Sequence, residues 1–367
     1  MDVLKIERNG TSIKYYHNNV LKRTVTAAST PALMVDVAFY SPNSTLINVR
    51  SSFGTTTRTI NRRYIYDHAG RLTHTWHQVD LQPEILLTYN EYNELGQRVD
   101  KKLHSTQVNA SDALQSVDYR YNIRGWMTSI NNAELAADAG TNDETGDYFG
   151  MNLAYQDALG TGNTAQYNGN ISGAKWSVNQ GFGTIKAMAY NFAYDPMNRL
   201  TAATHKQATT LGTWVTGQFD ENGLSYDLNG NIKTLQRKGD DGVVIDNLAY
   251  NYGTGATASN KLLYVTDAAA AADKVKGFLD GNTSGNDYTY DPNGNMWTDK
   301  NKGITSNITH NFLNLPELVT RGGNTVRYIY DAMGRKLGQQ VDFAGSMKRT
   351  DYAGEFIYEN DVLQFIN

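Results

Sequence analysis

The sequence predicts an all-β chain built as an array of β-hairpins, and three observations carry that prediction. The chain holds 24 Tyr and 33 Gly against 6 Pro; aromatic side chains suit pleated surfaces, and Gly supplies the turns between strands. A short aromatic-x-Tyr-Asp unit recurs along its length, which is the mark of a repeat architecture. Only one stretch, Asp267-Ala268-Ala269-Ala270-Ala271-Ala272-Asp273, reads as a helical turn or two.

The unit runs aromatic, any residue, Tyr, Asp or Asn, two residues, Gly or Asn, then Arg, Asn or Gln. Its first copies are Tyr64-Ile65-Tyr66-Asp67-His68-Ala69-Gly70-Arg71-Leu72, Tyr92-Asn93-Glu94-Leu95-Gly96-Gln97 and Tyr119-Arg120-Tyr121-Asn122-Ile123-Arg124-Gly125-Trp126. It returns as Phe192-Ala193-Tyr194-Asp195-Pro196-Met197-Asn198-Arg199-Leu200 and Tyr226-Asp227-Leu228-Asn229-Gly230-Asn231-Ile232. The last strong pair is Tyr288-Thr289-Tyr290-Asp291-Pro292-Asn293-Gly294-Asn295-Met296 and Tyr328-Ile329-Tyr330-Asp331-Ala332-Met333-Gly334-Arg335. Worn copies stand at Tyr250-Asn251-Tyr252-Gly253 and His310-Asn311-Phe312-Leu313-Asn314-Leu315-Pro316.

Each part of the unit has a physical reading. Tyr-x-Tyr puts two aromatics on one face of a strand, because side chains alternate with period two. Asp or Asn opens a type I turn, where its short side chain accepts bonds from the backbone ahead. Pro at Pro196 and Pro292 suits the next turn position. Gly or Asn then takes a left-handed conformation and closes the hairpin through a bulge. Gly70, Gly230, Gly294 and Gly334 are therefore expected at positive φ, with Asn198 doing the same in its copy. Each unit is a strand, a tight turn and the start of the returning strand.

The spacing between motif tyrosines varies. It is 26 residues from Tyr66 to Tyr92, 29 from Tyr92 to Tyr121 and 40 from Tyr290 to Tyr330. Such variation suits strands of unequal length better than propeller blades. The gap between Tyr121 and Tyr194 holds an acidic loop, Ala133 to Asp147, and a further hairpin signal, Tyr167-Asn168-Gly169-Asn170-Ile171-Ser172-Gly173. In the first 60 residues, alternation in Thr11–Tyr16 and Ala32–Val37 marks strands of the same array.

Several function classes find no support. A net charge of −4 gives no electrostatic footprint for nucleic acid, and no apolar run is long enough to span a membrane as a helix. The chain has no Cys, which excludes disulfides, thiolate metal sites and a Cys nucleophile. His74 and His77 fall on opposite faces of a strand, so the His68, His74 and His77 group is a poor metal site. The acidic 133–147 stretch lacks calcium-loop spacing, and no Lys-Ser/Thr pair follows Gly181-Phe182-Gly183-Thr184. A row of catalytic acids is also disfavoured, since Asn93 and Asn122 replace the motif Asp and cannot transfer its proton. No cofactor is expected. The tyrosine rows, with Trp76, Trp126, Trp176 or Trp297 nearby, have two readings: a structural ladder, or a surface on which sugars stack.

On these repeated units the chain resembles the Rhs (rearrangement hotspot) or YD-repeat family, from about Arg62 to Asn367. Tyr121-Asn122-Ile123-Arg124-Gly125-Trp126, Tyr167-Asn168-Gly169-Asn170-Ile171 and Asp299-Lys300-Asn301-Lys302-Gly303-Ile304 resemble its Bacteroidetes branch. The C-terminal Asp351-Tyr352-Ala353-Gly354-Glu355-Phe356-Ile357-Tyr358-Glu359-Asn360 looks like the entry to the Rhs-associated core domain, which in the family precedes a variable toxin. The resemblance implies hairpins paired side by side into a long sheet that spirals into a hollow shell. It also implies a toxin polypeptide as cargo or a role in surface adhesion, and carbohydrate binding has been attributed to such repeats.

The expected organisation is N-terminal strands of the same wall over 1–61, the repeat array over 62–340, and the start of the core domain over 341–367. The expected function is a structural encapsulation module of a secreted or surface toxin, with no catalysis in this chain. A glycan- or partner-binding surface is the alternative. Met1 to Glu7 has no apolar signal core, so the chain is expected to be a fragment, with the remaining core domain and toxin as its partners. The apolar segments Phe356–Tyr358 and Val362–Ile366 are expected to pair and to seek a further strand, making the isolated chain self-associate.

Overall fold

The computed structural model describes residues 4–9, 12–17, 20–26, 49–52, 57–138, 142, 146–179, 187–210, 213–255 and 258–366. The strand expected over 32–37, the glycine loop at 181–184 and parts of the acidic stretch lie outside these residues. The described chain is antiparallel β apart from one short 3₁₀ turn, Lys274–Lys276. The expected helical turn starts inside the alanine run, where the Asp273 and Lys274 N–H groups donate to the Ala270 carbonyl at 2.9 and 3.1 Å, and it runs on to Lys276.

The chain divides into two compact units, Asn43–Asn307 and Met1–Pro42 with Ile308–Asn367. In the larger unit, Val49–Ser52, Thr57–Tyr66, Leu72–Val79, Ile85–Tyr92 and Arg98–Ser105 pair in chain order. The isolated bridges Asp100↔Asp118 and Leu103↔Gln115 carry the pairing onward to an eleven-stranded sheet. That sheet runs in chain order from Tyr119–Tyr121 to Tyr264–Asp267, except that Thr213–Thr216 lies off the path against Leu200–Thr210. The pair Tyr288–Tyr290 and Met296–Asp299 follows, tied back by Asp287 and Tyr288 backbone N–H groups donating to the Leu263 carbonyl at 2.8 and 3.1 Å. A meander of this kind needs only short connections, which the frequent turn signals supply.

The smaller unit holds a three-stranded sheet, Leu4–Asn9, Ser12–His17 and Val20–Thr26, and a seven-stranded one from Thr309–His310 to Val362–Ile366. In the seven-stranded sheet the two edges use different turns. One carries motif turns after His310 and Tyr330. The other carries two-residue turns at Gly322-Gly323, Ala344-Gly345 and Asn360-Asp361, where both central residues have positive φ. Paired positive φ matches the twist of the flanking strands. The strand Lys336–Phe343 runs through the boundary expected at 340/341, and Thr57–Tyr66 runs through that at 61/62. Phe356–Glu359 and Val362–Ile366 form the expected terminal hairpin.

The apolar cores are small and local. Trp76, Leu86 and Ala110 form one, with Tyr89 against it. Leu248, Val265 and Tyr288 form another, flanked by Leu235, Tyr250, Phe278, Tyr290 and Met296. A third aromatic cluster crosses three strands, where Trp176, Tyr190 and Phe219 surround buried His205. Burial holds the His205 imidazole below its ordinary pKa.

Candidate functional site

The recurrent unit is the candidate site, and its turn is built as its residue types require. At the first copy the Gly70 N–H donates to the Asp67 carbonyl at 3.0 Å, and the Asp67 N–H donates to the Arg71 carbonyl at 3.0 Å. Asp67 Oδ1 accepts the Ala69 and Arg71 N–H groups, each at 2.9 Å, while Oδ2 accepts Arg71 Nε at 2.6 Å. The same net recurs at Asp195 with Met197 and Arg199, at Asp227 with Asn229 and Asn231, and at Asp331 with Met333 and Arg335. Asp291 accepts from the Asn295 backbone and side chain in the same way. Where the acceptor is Asn93, the partner is Gln97, and the amides reverse roles: Asn93 Nδ2 donates to Gln97 Oε1 at 2.9 Å.

The residues closing these turns have positive φ. Gly70 is at 77°, Gly96 and Gly125 at 78°, Gly230 at 87°, Gly294 at 93° and Gly334 at 84°, while Asn198 takes 64°. Each turn sits beside a register shift in its hairpin, as at Ile65/Tyr66 and Ala193/Tyr194. The turn of the supposedly worn copy at His310 is complete, because Asn311 Oδ1 accepts the Leu313 and Leu315 N–H groups as Asp would, and Asn314 tolerates positive φ as Gly does. The Asn311 N–H donates to the Leu315 carbonyl at 2.9 Å, and Asn314 has φ 60°. Tyr250-Asn251-Tyr252-Gly253 makes no such turn; the Gly253 N–H donates to Asn251 Oδ1, and the chain opens into a wider loop. Tyr167 to Gly173 forms no strand pair of its own either. Phe149–Ala154 pairs with Gly173–Val178 around it.

Sequence reasoning missed what the unit does between hairpins. The motif tyrosine hydroxyl donates to the preceding hairpin, at the carbonyl just past its turn. Tyr92 reaches the Leu72 carbonyl at 2.9 Å, Tyr121 the Arg98 carbonyl at 3.0 Å and Tyr194 the Ile171 carbonyl at 2.7 Å. Tyr226 reaches Leu200 at 2.6 Å and Tyr290 reaches Leu262 at 2.8 Å. In the opposite direction, the motif cation lies over the next tyrosine. Arg71 is 4.9 Å from the Tyr92 ring centre and Arg199 is 4.5 Å from that of Tyr226, with Lys261 over Tyr290 at 5.6 Å. Arg71 Nη1 also donates to the Asn93 carbonyl at 3.2 Å, and Arg199 Nη1 to the Asp227 carbonyl at 3.1 Å. A flat guanidinium can satisfy its own Asp, a neighbouring carbonyl and a ring face at once; this is the fork geometry that Lys lacks. The site is a clasp from each hairpin to the next.

The clasp sets the ionisation of its members. The Arg71 N–H bonded to Asp67 holds that carboxyl below the ordinary value, and the Arg199 and Arg335 N–H groups do the same for Asp195 and Asp331. For Asp227 the Asn231 side-chain amide is the leading cause. Burial raises Tyr121, Tyr194, Tyr226, Tyr290 and Tyr330. Carboxylates saturated by N–H donors and tyrosines kept neutral are suited to structure and poorly suited to proton transfer.

The opposite edge of the array carries a second regularity absent from the sequence reading. Buried or turned Asx residues there stand in for a missing backbone partner. The Thr59 N–H donates to Asp80 Oδ1 at 2.8 Å, and the Asp118 N–H to Asn131 Oδ1 at 2.7 Å. His205 N–H donates to Asp220 Oδ1, Asn247 N–H to Asp267 Oδ1 and Val265 N–H to Asp287 Oδ2. Asp246, wholly buried, accepts Arg237 Nε at 2.7 Å. No local signal in the sequence marks them: Asp80 and Asn131 follow strands, whereas Asp220 and Asp287 precede them. Elsewhere His74 packs on Tyr89, ring centres 4.7 Å apart, and His77 Nδ1 accepts from Arg62 Nε at 3.4 Å. Among the described residues, no three His, Asp or Glu side chains come together as metal ligands.

No family model matches the chain, and no curated protein matches it. Solved structures do. A chain of the Photorhabdus luminescens Tc holotoxin pore, which contains TccC3, matches with a TM-score of 0.54 at 16% identity, over 83% of this chain and 14% of that one. A chain of the TcdB2-TccC3-Cdc42 crystal structure matches with a TM-score of 0.53 at 16% identity, over 82% of this chain and 14% of that one. This chain thus spans about a seventh of the length of those it matches. At this identity the likeness is one of fold alone: the antiparallel hairpin array resembles the fold of part of these Tc toxin chains.

Proposed function

We propose that the chain is a structural encapsulation module, a stretch of β-wall from the shell of a secreted or surface toxin of the Rhs family, in its Bacteroidetes branch, with no catalysis of its own. The observation that carries this reading is the clasp. It recurs along the array: the Asp carboxylates hold their own turns, while the Tyr hydroxyls and the Arg71 and Arg199 guanidiniums join one hairpin to the next. The fold shared with toxin chains supports the same reading. In it, the expected partners are the Rhs core domain and a C-terminal toxin polypeptide held as cargo. The alternative of a sugar-stacking surface loses its main premise, because Tyr92, Tyr121, Tyr194, Tyr226 and Tyr290 are half-buried and their hydroxyls are bonded within the wall.

The test is protease challenge of the full-length product of the gene. A shell should protect an enclosed toxin segment at protease levels that digest the same segment expressed alone. Digestion at equal rates would contradict encapsulation, and specific retention of one glycan on an array would favour the binding-surface reading instead.

A further inference from the structure

The clasped turns of the larger unit stand in one row, because each touches the next. Arg71 reaches Asn93, and Gln97 lies against Gly125. Trp126 lies against Gly169, Asn168 and Asn170 donate to Asn198 Oδ1, and Arg199 reaches Asp227. Asn229 and Asn231 then donate to Asn260 Oδ1, and Lys261 lies against Gly294. Five consecutive turns in this row present a large apolar or aromatic side chain to solvent, four at the tip and one, Tyr167, just before it. Leu95 is 83% exposed, Ile123 103%, Tyr167 74%, Met197 66% and Leu228 100%.

Turn chemistry does not ask for these side chains. Type I turns favour Pro at their first central position and accept most residues at the second. Here the apolar tips stand beside Glu94, Arg124, Pro196 and Asn229, and the flanking turns carry His68 and Ala69 on one side and Ser259 and Asn260, then Pro292 and Asn293, on the other. The row is therefore a line of large apolar side chains edged by polar ones such as Glu94, Arg124 and Asn229, a mixture found at protein interfaces. Five such side chains offer roughly 600 Å² of apolar surface, at the upper end of what a monomer leaves uncovered and close to the ~800 Å² that each partner contributes to a stable dimer. Hairpins two strands wide repeat every ~10 Å along a sheet, and a second copy of the same edge presents the same apolar tips at the same interval.

We propose that this turn edge is a self-association surface that takes a second copy of the chain. The two rows run antiparallel about a two-fold axis near Tyr167. Leu95 of one copy then meets Leu228 of the other, and Ile123 meets Met197. The contact is made by side chains, since the strands at this edge end in closed turns and offer no free ladder for strand addition.

The experiment is sedimentation of the whole chain across a concentration series, beside Ile123→Lys, Leu228→Lys and the double variant. These tips are exposed, so melting temperatures within a degree or two of one another will show that the fold is unchanged. The dissociation constant of the dimer should rise at least tenfold in each single variant and further in the double. Orientation is read by a short bismaleimide linker, for which the chain's lack of Cys gives a clean background. A Leu95→Cys copy mixed with a Leu228→Cys copy should cross-link faster than either alone. A monomer at every concentration would overturn the proposal. So would a dimer indifferent to both lysines, as association through strand edges would be, or an edge that binds anionic lipid vesicles while staying monomeric.

Discussion

Arg199 and Tyr226 belong to different hairpins, yet the guanidinium of one lies 4.5 Å above the ring of the other. Its Nε is held at 2.7 Å by Asp195 of its own turn, and its Nη1 donates to the Asp227 carbonyl of the next at 3.1 Å. Tyr226 answers by donating its hydroxyl to the carbonyl of Leu200, the residue after Arg199, at 2.6 Å. Two short polar segments thus fix the spacing and rotation of neighbouring hairpins where the apolar core is thin.

Removing the cation should therefore cost more inside the array than at an exposed turn. Arg199→Met is expected to lower unfolding free energy by about 1–3 kcal/mol, as charged hydrogen bonds and a ring contact are lost together. Arg335→Met, at a half-exposed ion pair with Asp331, should cost less than about 1 kcal/mol. Urea unfolding of both variants checks the order.

Removing a single hydroxyl isolates the other half of the clasp. Tyr194→Phe leaves the ring in place and strips the Ile171 carbonyl of its donor, at an expected cost of about 0.5–1.5 kcal/mol. Tyr167→Phe, whose ring is mostly exposed, should be neutral within error in the same denaturant series.

The left-handed turn positions give a backbone test. Gly294→Val should cost more than about 1 kcal/mol, because a β-branched residue is strained at φ 93°. Asn198→Gly should cost less, since its φ of 64° suits Gly without strain and only the exposed bonds from Asn168 and Asn170 to its Oδ1 are lost. Equal melting temperatures for Gly294→Val and a surface control would show the turn to be assigned wrongly.

The clasp also predicts loss of stability at both ends of the pH scale. Asp67, Asp195, Asp227 and Asp331 have carboxyls held below the ordinary value in the folded chain. Their contribution is complete above that ordinary value and is lost as pH falls through the lower folded one. Tyr121, Tyr194, Tyr226, Tyr290 and Tyr330 are raised. Their contribution is complete below the ordinary tyrosine pKa near 10 and is lost as pH rises through the higher folded ones. Melting temperature against pH, read beside tyrosinate absorbance, should show the alkaline loss coinciding with tyrosine ionisation.

Much of the array was legible in the sequence because turn chemistry is local. Asp67 and Gly70 sit three residues apart, and their roles follow from side-chain length and allowed φ alone. The Asn311 turn was undervalued because its aromatic is Phe312 inside the turn and His310 stands where Tyr is usual. The Tyr167 segment misled in the other direction: its Asn-Gly carries a hairpin signal, but its flanks do not pair with each other, since Gly173–Val178 pairs with Phe149–Ala154, and the turn is held by Trp126 and Asn198. The clasp itself was illegible, since the partner of Arg71 lies 22 residues away at Asn93 and that distance changes from one hairpin to the next. The capping residues Asp80, Asp220 and Asp287 were hidden for the same reason. Each is defined by a strand beside it and by nothing near it in the chain.

A double-mutant cycle on Arg199 and Tyr226 tests the central claim most directly. Arg199→Met, Tyr226→Leu and the double variant are compared with the parent by urea unfolding. If the unit is a clasp between hairpins, the two sites should be coupled by about 0.5–2 kcal/mol, the range expected of contacting residues. Strictly additive losses would mean that the motif builds only its own turn, and the wall would have to be held together by something else.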